Sequence, residues 1–188
     1  NNRAVEEGRG TAVDTWSIEK TIDRGYATAT FYYGDGLPDK NDFSDGIYPH
    51  IVKRTGGPTD CGAVAFWAWT LHRAVDYLVA DADIDAKRIA VVGHSRNGKA
   101  ALVAGAFDDR IALSIPHQAG CGGSAPSRRK NPKGEPVKRI NTAFPHWFDG
   151  HYKSFNDVED KLPFDQHALA ALCAPRAVLF TNAEDDQW

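Results

Sequence analysis

Apolar positions along this chain recur with two different periods, and the alternation between them outlines the fold. Residues 26–33 (YATATFYY) alternate small or polar side chains with bulkier ones and predict a strand, which Gly34-Asp35-Gly36 breaks. Residues 88–92 (RIAVV), 111–115 (IALSI) and 177–181 (AVLFT) are short apolar runs of buried-strand length. Between them the period lengthens: Val64, Trp67, Leu71, Val75 and Leu78 give one packed face to a helix running from Thr59 or Asp60 to about Ala80. Ala-rich residues 97–106 and residues 167–172 predict two more helices, the second ended by Pro175. A short helix capped by Asp14 or Thr15, with Trp16, Ile18 and Ile22 on its buried side, is expected to end before Gly25. Residues 37–58, and a second region opening at Gly120-Cys121-Gly122-Gly123 and the basic stretch 127–130, predict long loops; in α/β enzymes such loops line the active-site mouth.

Four apolar strands alternating with helices require a mostly parallel sheet with helices on both faces, an α/β three-layer sandwich. With 188 residues, 42% hydrophobic and 25% charged, residues 1–188 form a single domain around one core. The 22 basic and 25 acidic residues leave a net charge of −3 and no basic stripe, so no nucleic-acid partner is expected. The longest apolar runs are strand-length, too short to span a membrane. Cys61, Cys121 and Cys173 allow at most one disulfide, or a pairing of Cys61 or Cys173 with a cysteine outside the segment, and no C-x-x-C pair suggests zinc. The first ten residues are polar and charged where a signal peptide is apolar, and the chain does not begin with Met.

The chemistry concentrates at Gly93-His94-Ser95-Arg96-Asn97-Gly98-Lys99, where the strand at 88–92 meets a helix. That is the context of a nucleophile elbow, in which a tight strand-to-helix turn lifts a serine hydroxyl clear of an α/β-hydrolase sheet and small residues relieve the crowding around it. The usual elbow is G-x-S-x-G; here the second glycine falls one place later, at Gly98. Ser95 is the candidate nucleophile, and Arg96 can add a backbone N–H and a charged donor to a tetrahedral oxyanion. The alternative is an ordinary Gly-Ser helix cap with a surface arginine. In this fold the triad acid follows one of the last strands, and Asp186 takes the fourth place of the turn Ala183-Glu184-Asp185-Asp186 after the strand at 177–181. A solvated acidic loop is the alternative there. None of His50, His72, His94, His117, His146, His151 or His167 falls after that acid, where the order of the fold puts the triad histidine. The expectation is a fragment whose histidine lies beyond Trp188.

With its displaced glycine, the elbow resembles that of the glucuronoyl esterases, carbohydrate esterase family 15, which reads G-x-S-R-x-G-K. The resemblance continues through Arg110-Ile111-Ala112-Leu113, Gly120-Cys121-Gly122-Gly123, Ser127-Arg128-Arg129, Arg139-Ile140-Asn141-Thr142, Pro145-His146-Trp147-Phe148, Asp165-Gln166-His167 and Glu184-Asp185-Asp186-Gln187-Trp188, and is closest to bacterial members. It implies an α/β-hydrolase fold and a metal-free, cofactor-free serine esterase. The substrates implied are esters that link 4-O-methylglucuronic acid on glucuronoxylan to lignin alcohols. It implies Ser95 as nucleophile, Arg96 as oxyanion stabiliser, Lys99 as a donor to sugar hydroxyls, and Trp188 and Glu135 as further sugar contacts. A secreted or periplasmic, monomeric enzyme is the expectation, with the family's first strands before Asn1. Lys99 has a plainer alternative as a solvated helix residue. Gln118 stands where many members carry a glutamate, and since an amide cannot stabilise an imidazolium, the acid role passes to Asp186. An acetyl-xylan or other carbohydrate esterase is the nearest alternative. A non-catalytic carbohydrate-binding relative, holding sugar through the aromatic loop around Trp147 with Trp188, is the second.

Overall fold

The computed structural model describes residues 6–128 and 134–185. In chain order its elements are a 3-10 turn Glu6–Gly8, α1 (Val13–Trp16), α2 (Ile18–Asp23), α3 (Tyr33–Gly36), α4 (Tyr48–Ile51), α5 (Ala63–Ala80), β1 (Ile89–His94), α6 (Arg96–Phe107), β2 (Ile111–His117), α7 (Val137–Ala143), α8 (Gly150–Lys153), a 3-10 turn Glu159–Lys161, α9 (His167–Leu172) and β3 (Ala177–Val178).

β1, β2 and β3 form a parallel sheet in that order, with Val92 opposite Ile115 and Ser114 opposite Val178. Parallel neighbours need a crossover connection, which α6 supplies between β1 and β2. α6 lies on both strands, with α5 and α9 packed at its flanks. Its run of Ala and Gly permits a close approach: at Gly105 an added Cβ would stand 1.7 Å from Ser114 Oγ on β2. Ala68 and Val75 of α5, Ile89 and Val91 of β1, and Ala101 and Ala104 of α6 form one buried cluster. A second core joins the first half of α5 to the long loops through Leu37, Tyr48, Phe66, Trp67, Ile140 and Trp147. Side chains of this size contribute about 1.5–3 kcal/mol each on burial. Arg176 ties the last strand to α6 by donating from Nη1 to the carbonyls of Gly105, Asp108 and Ile111 at 2.6–3.0 Å.

Several expectations need correction. Residues 26–33 form no strand; 26–32 carry no regular structure and no ladder partners and Tyr33 opens α3, with Tyr26, Phe31 and Tyr32 exposed, so the sheet among the described residues has three strands rather than four. Period-two patterning makes a strand only where a neighbouring edge is available to pair with it. The helix at 14–25 is split into α1 and α2 by Ser17 at φ 48°, neither is capped by a side chain, and Trp16, Ile18 and Ile22 are exposed rather than buried. Only the first two residues of 177–181 pair as a strand, with Thr181 rejoining the sheet through a single bridge to His117. The irregular region after Gly120 contains α7, α8 and a 3-10 turn that its Pro, Gly and charge content hid. Among the described residues α5, α6 and α9 lie on one sheet face, and on the other Val92 is 65% exposed and Ala90 and Leu179 are open; the α/β-hydrolase architecture itself stands.

Candidate active site

Ser95 sits between β1 and α6 at φ 55°, ψ −117°, a conformation that costs a non-glycine residue about 1–3 kcal/mol. Its N–H donates to His117 O at 2.9 Å, and its own carbonyl accepts from Lys99 N at 3.0 Å, so the turn is fastened to the end of β2 and to the first turn of α6. The two glycines have distinct tasks. A Cβ on Gly93 would lie 2.1 Å from Asn97 O, and one on Gly98 would lie 2.8 Å from His117 O and 2.9 Å from Gly93 O. The second glycine is displaced because the crowded position in this elbow is 98, against the end of β2, while Gly93 relieves the contact at Asn97. Ser95 is half-exposed at the carboxyl end of a parallel strand, where ligands of open α/β sheets bind.

Arg96 and Lys99 leave the elbow on neighbouring faces of α6 and converge on one indole. The Arg96 guanidinium lies 5.1 Å from the Trp147 ring centre and Lys99 Nζ 5.7 Å from it. Lys99 is 4% exposed, which removes its reading as a solvated helix residue, and its Nζ donates to Ala119 O at 2.5 Å. Burial pulls its pKa from 10.5 down to about 8, partly opposed by Cys121 and Glu135. A buried ammonium with spare donors is expensive unless something polar meets it. Glu135 is half-buried nearby; burial raises its pKa, while Lys99 and Arg139 pull it down. Burial also raises Cys121, to about 11, so this packed thiol stays protonated at neutral pH.

Gln118 follows β2 directly at φ 45°, its Oε1 3.2 Å from His94 Nε2 and its N–H donating to Thr181 O at 2.8 Å. The place where the family resemblance implies an acid therefore does border the elbow, and the turn after β3 starts from the same edge. Glu184 and Asp185 of that turn are exposed; Asp186 and Trp188 lie outside the described residues. A cavity of about 320 Å³ opens beside it between Gly120, Ser124, Ala125, Pro126, Phe180 and Asn182. His117 Nδ1 pairs with Thr181 Oγ1 at 2.8 Å. Among the described residues no hydrogen bond joins the Ser95 hydroxyl to a histidine ring.

Asp39 carries no mark in the sequence, yet it is the partner of Arg96. Its Oδ2 accepts from Arg96 Nη1, and its Oδ1 accepts from His146 Nε2 and Trp147 Nε1, both at 2.8 Å. The buried Trp147, stacked on Phe144 at 3.8 Å, is not the open sugar platform considered above.

A strained, amide-anchored serine with an arginine at its shoulder and a buried lysine one turn on is the point at which the relatives become informative. The family model described as "Glucuronyl esterase, fungi" matches residues 11–188. The chain belongs to the glucuronoyl esterase family. A carbohydrate esterase from an unknown prokaryotic organism is 51% identical over the whole chain, and the 4-O-methyl-glucuronoyl methylesterase of Podospora anserina is 35% identical over the whole chain. The chain spans 44% and 41% of those two relatives. The solved glucuronoyl esterase of Solibacter usitatus superposes with a TM-score of 0.89 at 45% identity, over 97% of this chain and 47% of that one. The Sporotrichum thermophile glucuronoyl esterase, solved as a serine-to-alanine mutant with methyl 4-O-methyl-β-D-glucopyranuronate, superposes at 0.70 with 31% identity, over 85% and 45%. The chain thus has the α/β-hydrolase fold of family 15 esterases.

Proposed function

We propose that the protein is a secreted or periplasmic serine esterase that cleaves 4-O-methylglucuronoyl esters joining glucuronoxylan to lignin alcohols, residues 1–188 contributing one catalytic domain that acts as a monomer. The observation that carries this reading is the elbow: Ser95 held at φ 55° at the carboxyl end of β1, directly before an arginine and four positions before a buried lysine. A protein that only binds sugar has no use for that strain.

In this reading Ser95 Oγ attacks the ester carbonyl, and its proton passes to the histidine base that the family resemblance implies. Arg96, through its backbone N–H and guanidinium, stabilises the oxyanion; the alcohol leaves with the proton from the histidine, and water then resolves the acyl-enzyme. Asp186 orients the histidine in place of the missing glutamate at Gln118. Lys99, Glu135 and Trp188 hold the sugar, the buried ammonium gaining sugar-hydroxyl acceptors in addition to Ala119 O.

Hydrolysis by the full-length protein of the methyl ester of 4-O-methylglucuronic acid, measured beside acetylated xylan, tests this. The uronate ester should be cleaved and the activity lost in Ser95→Ala; cleavage of acetylated xylan alone, or full activity in Ser95→Ala, contradicts it.

A further inference from the structure

Asp39 is brought to the elbow from a loop by contacts that begin in α5. The Trp67 indole on α5 donates to Leu37 O at 2.8 Å, and Leu37 and Pro38 are buried, so the chain is pinned immediately before Asp39. The same helix fixes the other side. Its opening amides, Ala63 N and Val64 N, donate to the carbonyls of His146 and Trp147 at 2.9 and 3.1 Å, spending unpaired donors of the helix N-terminus on that segment. α5 therefore sets Asp39 and Trp147 side by side, hydrogen-bonded to each other, and the Arg96 guanidinium lies against both.

The chemistry of the pocket runs one way. Asp39 is acceptor-only when ionised, and three donors meet it: a guanidinium, an imidazole N–H and an indole N–H. His146 Nδ1 is buried without a partner among the described residues, and burial and the Arg96 charge both hold its pKa below the usual imidazole value. Its Nε2–H is thus the ring's one hydrogen-bonded position among the described residues, committed to Asp39. A carboxylate shared among three donors orients the guanidinium, and one nitrogen of Arg96 is fixed by Asp39 while no other hydrogen bond is made by its remaining nitrogens among the described residues. The Trp147 face closes the remaining side by a cation–π contact.

We propose that Asp39 is the positioning residue for the oxyanion-stabilising Arg96, clamping its guanidinium against Trp147 before substrate arrives. The inference rests on the esterase reading above and adds a residue that acts through another, without touching substrate. Preorganised donors stabilise a transition state because they need not reorient as charge develops, and a misplacement of roughly 1 Å costs about 100-fold in rate.

The test is a double-mutant cycle in the full-length protein, with kcat and KM on the methyl ester of 4-O-methylglucuronic acid and Tm recorded for each variant. Asp39→Asn keeps the shape but turns one acceptor into a donor. It should lower kcat about 10- to 100-fold with KM within about twofold, and should add nothing in the Arg96→Ala background. If Arg96→Ala is crippled while Asp39→Asn keeps wild-type kcat, or if the two losses multiply, the positioning role is wrong. A rise in kcat would make Asp39 a damper of the arginine's charge and would equally overturn it. Wild-type kcat in Arg96→Ala overturns the oxyanion assignment itself, and this inference with it. Should Asp39→Asn lower Tm too far for kinetics, Trp147→Phe carries the same cycle: it retains an aromatic face and deletes one donor to Asp39, with a several-fold kcat loss that vanishes beside Arg96→Ala.

Discussion

At Ser95, stability and activity pull in opposite directions. A residue at φ 55°, ψ −117° is strained unless it is glycine, so Ser95→Gly should abolish ester hydrolysis and raise Tm by a few degrees, on the scale of about 1–3 kcal/mol of released strain. A thermal scan showing a lower Tm would mean that the hydroxyl stabilises the fold. Lys99 carries a similar conflict. Its folded pKa of about 8 lies below the unfolded 10.5, so the unfolded chain binds more protons between those values. The penalty is fully present below pH 8 and fades as pH rises towards 10.5. On the order of 3 kcal/mol is at stake, and Lys99→Met should raise Tm at pH 7 while raising KM for the uronate ester. In the wild type KM should climb above pH 8 as the ammonium discharges; a flat KM between pH 7 and 9.5 would remove Lys99 from substrate binding. Ser95, Arg96 and Lys99 were legible because one local motif marks all three. Asp39, His146 and Trp147 form their network across 57 to 108 positions, and no short pattern records it.

Among the elements, the helices and strands that make contacts along their own length were the readable ones. The periodicity of α5, the elbow and α6 with their flanking strands came through because each is stabilised by a continuous buried face. Residues 26–33 did not, since alternation alone creates no ladder; α7 is short and buries only Val137, Ile140 and Asn141, and α8 is a single turn capped by the Asp149 side chain, too brief for a periodic pattern. The elbow itself makes a prediction. Gly98→Ala drives a methyl into two backbone carbonyls, neither of which can rotate away, at a cost of about 1–3 kcal/mol, and shifts the start of α6 together with Ser95. Denaturant melts should show the destabilisation and kinetics a loss of kcat; an unperturbed kcat would mean that the turn is softer than its contacts indicate.

Across the whole molecule the sheet is lopsided. α5, α6 and α9 cover one face, whereas Val92 and Leu179 stand open on the other, with Phe107 and Leu172 exposed at the helix ends. A parallel sheet is stable in water only when both faces are covered, so the 188-residue chain by itself should bind a hydrophobic dye such as ANS, and Val92→Lys should reduce that binding with little change in Tm. The chain spans less than half of the relatives it matches, and function belongs to the full-length protein. There the central claim, that the bend at position 95 presents a nucleophile, is open to direct chemical reading. Treatment with a serine-directed phosphonate followed by peptide mass mapping should find one adduct, on Ser95, formed in step with loss of esterase activity and much more slowly in Arg96→Ala. Inactivation with Ser95 unmodified, or hydrolysis persisting with Ser95 fully labelled, would contradict the account.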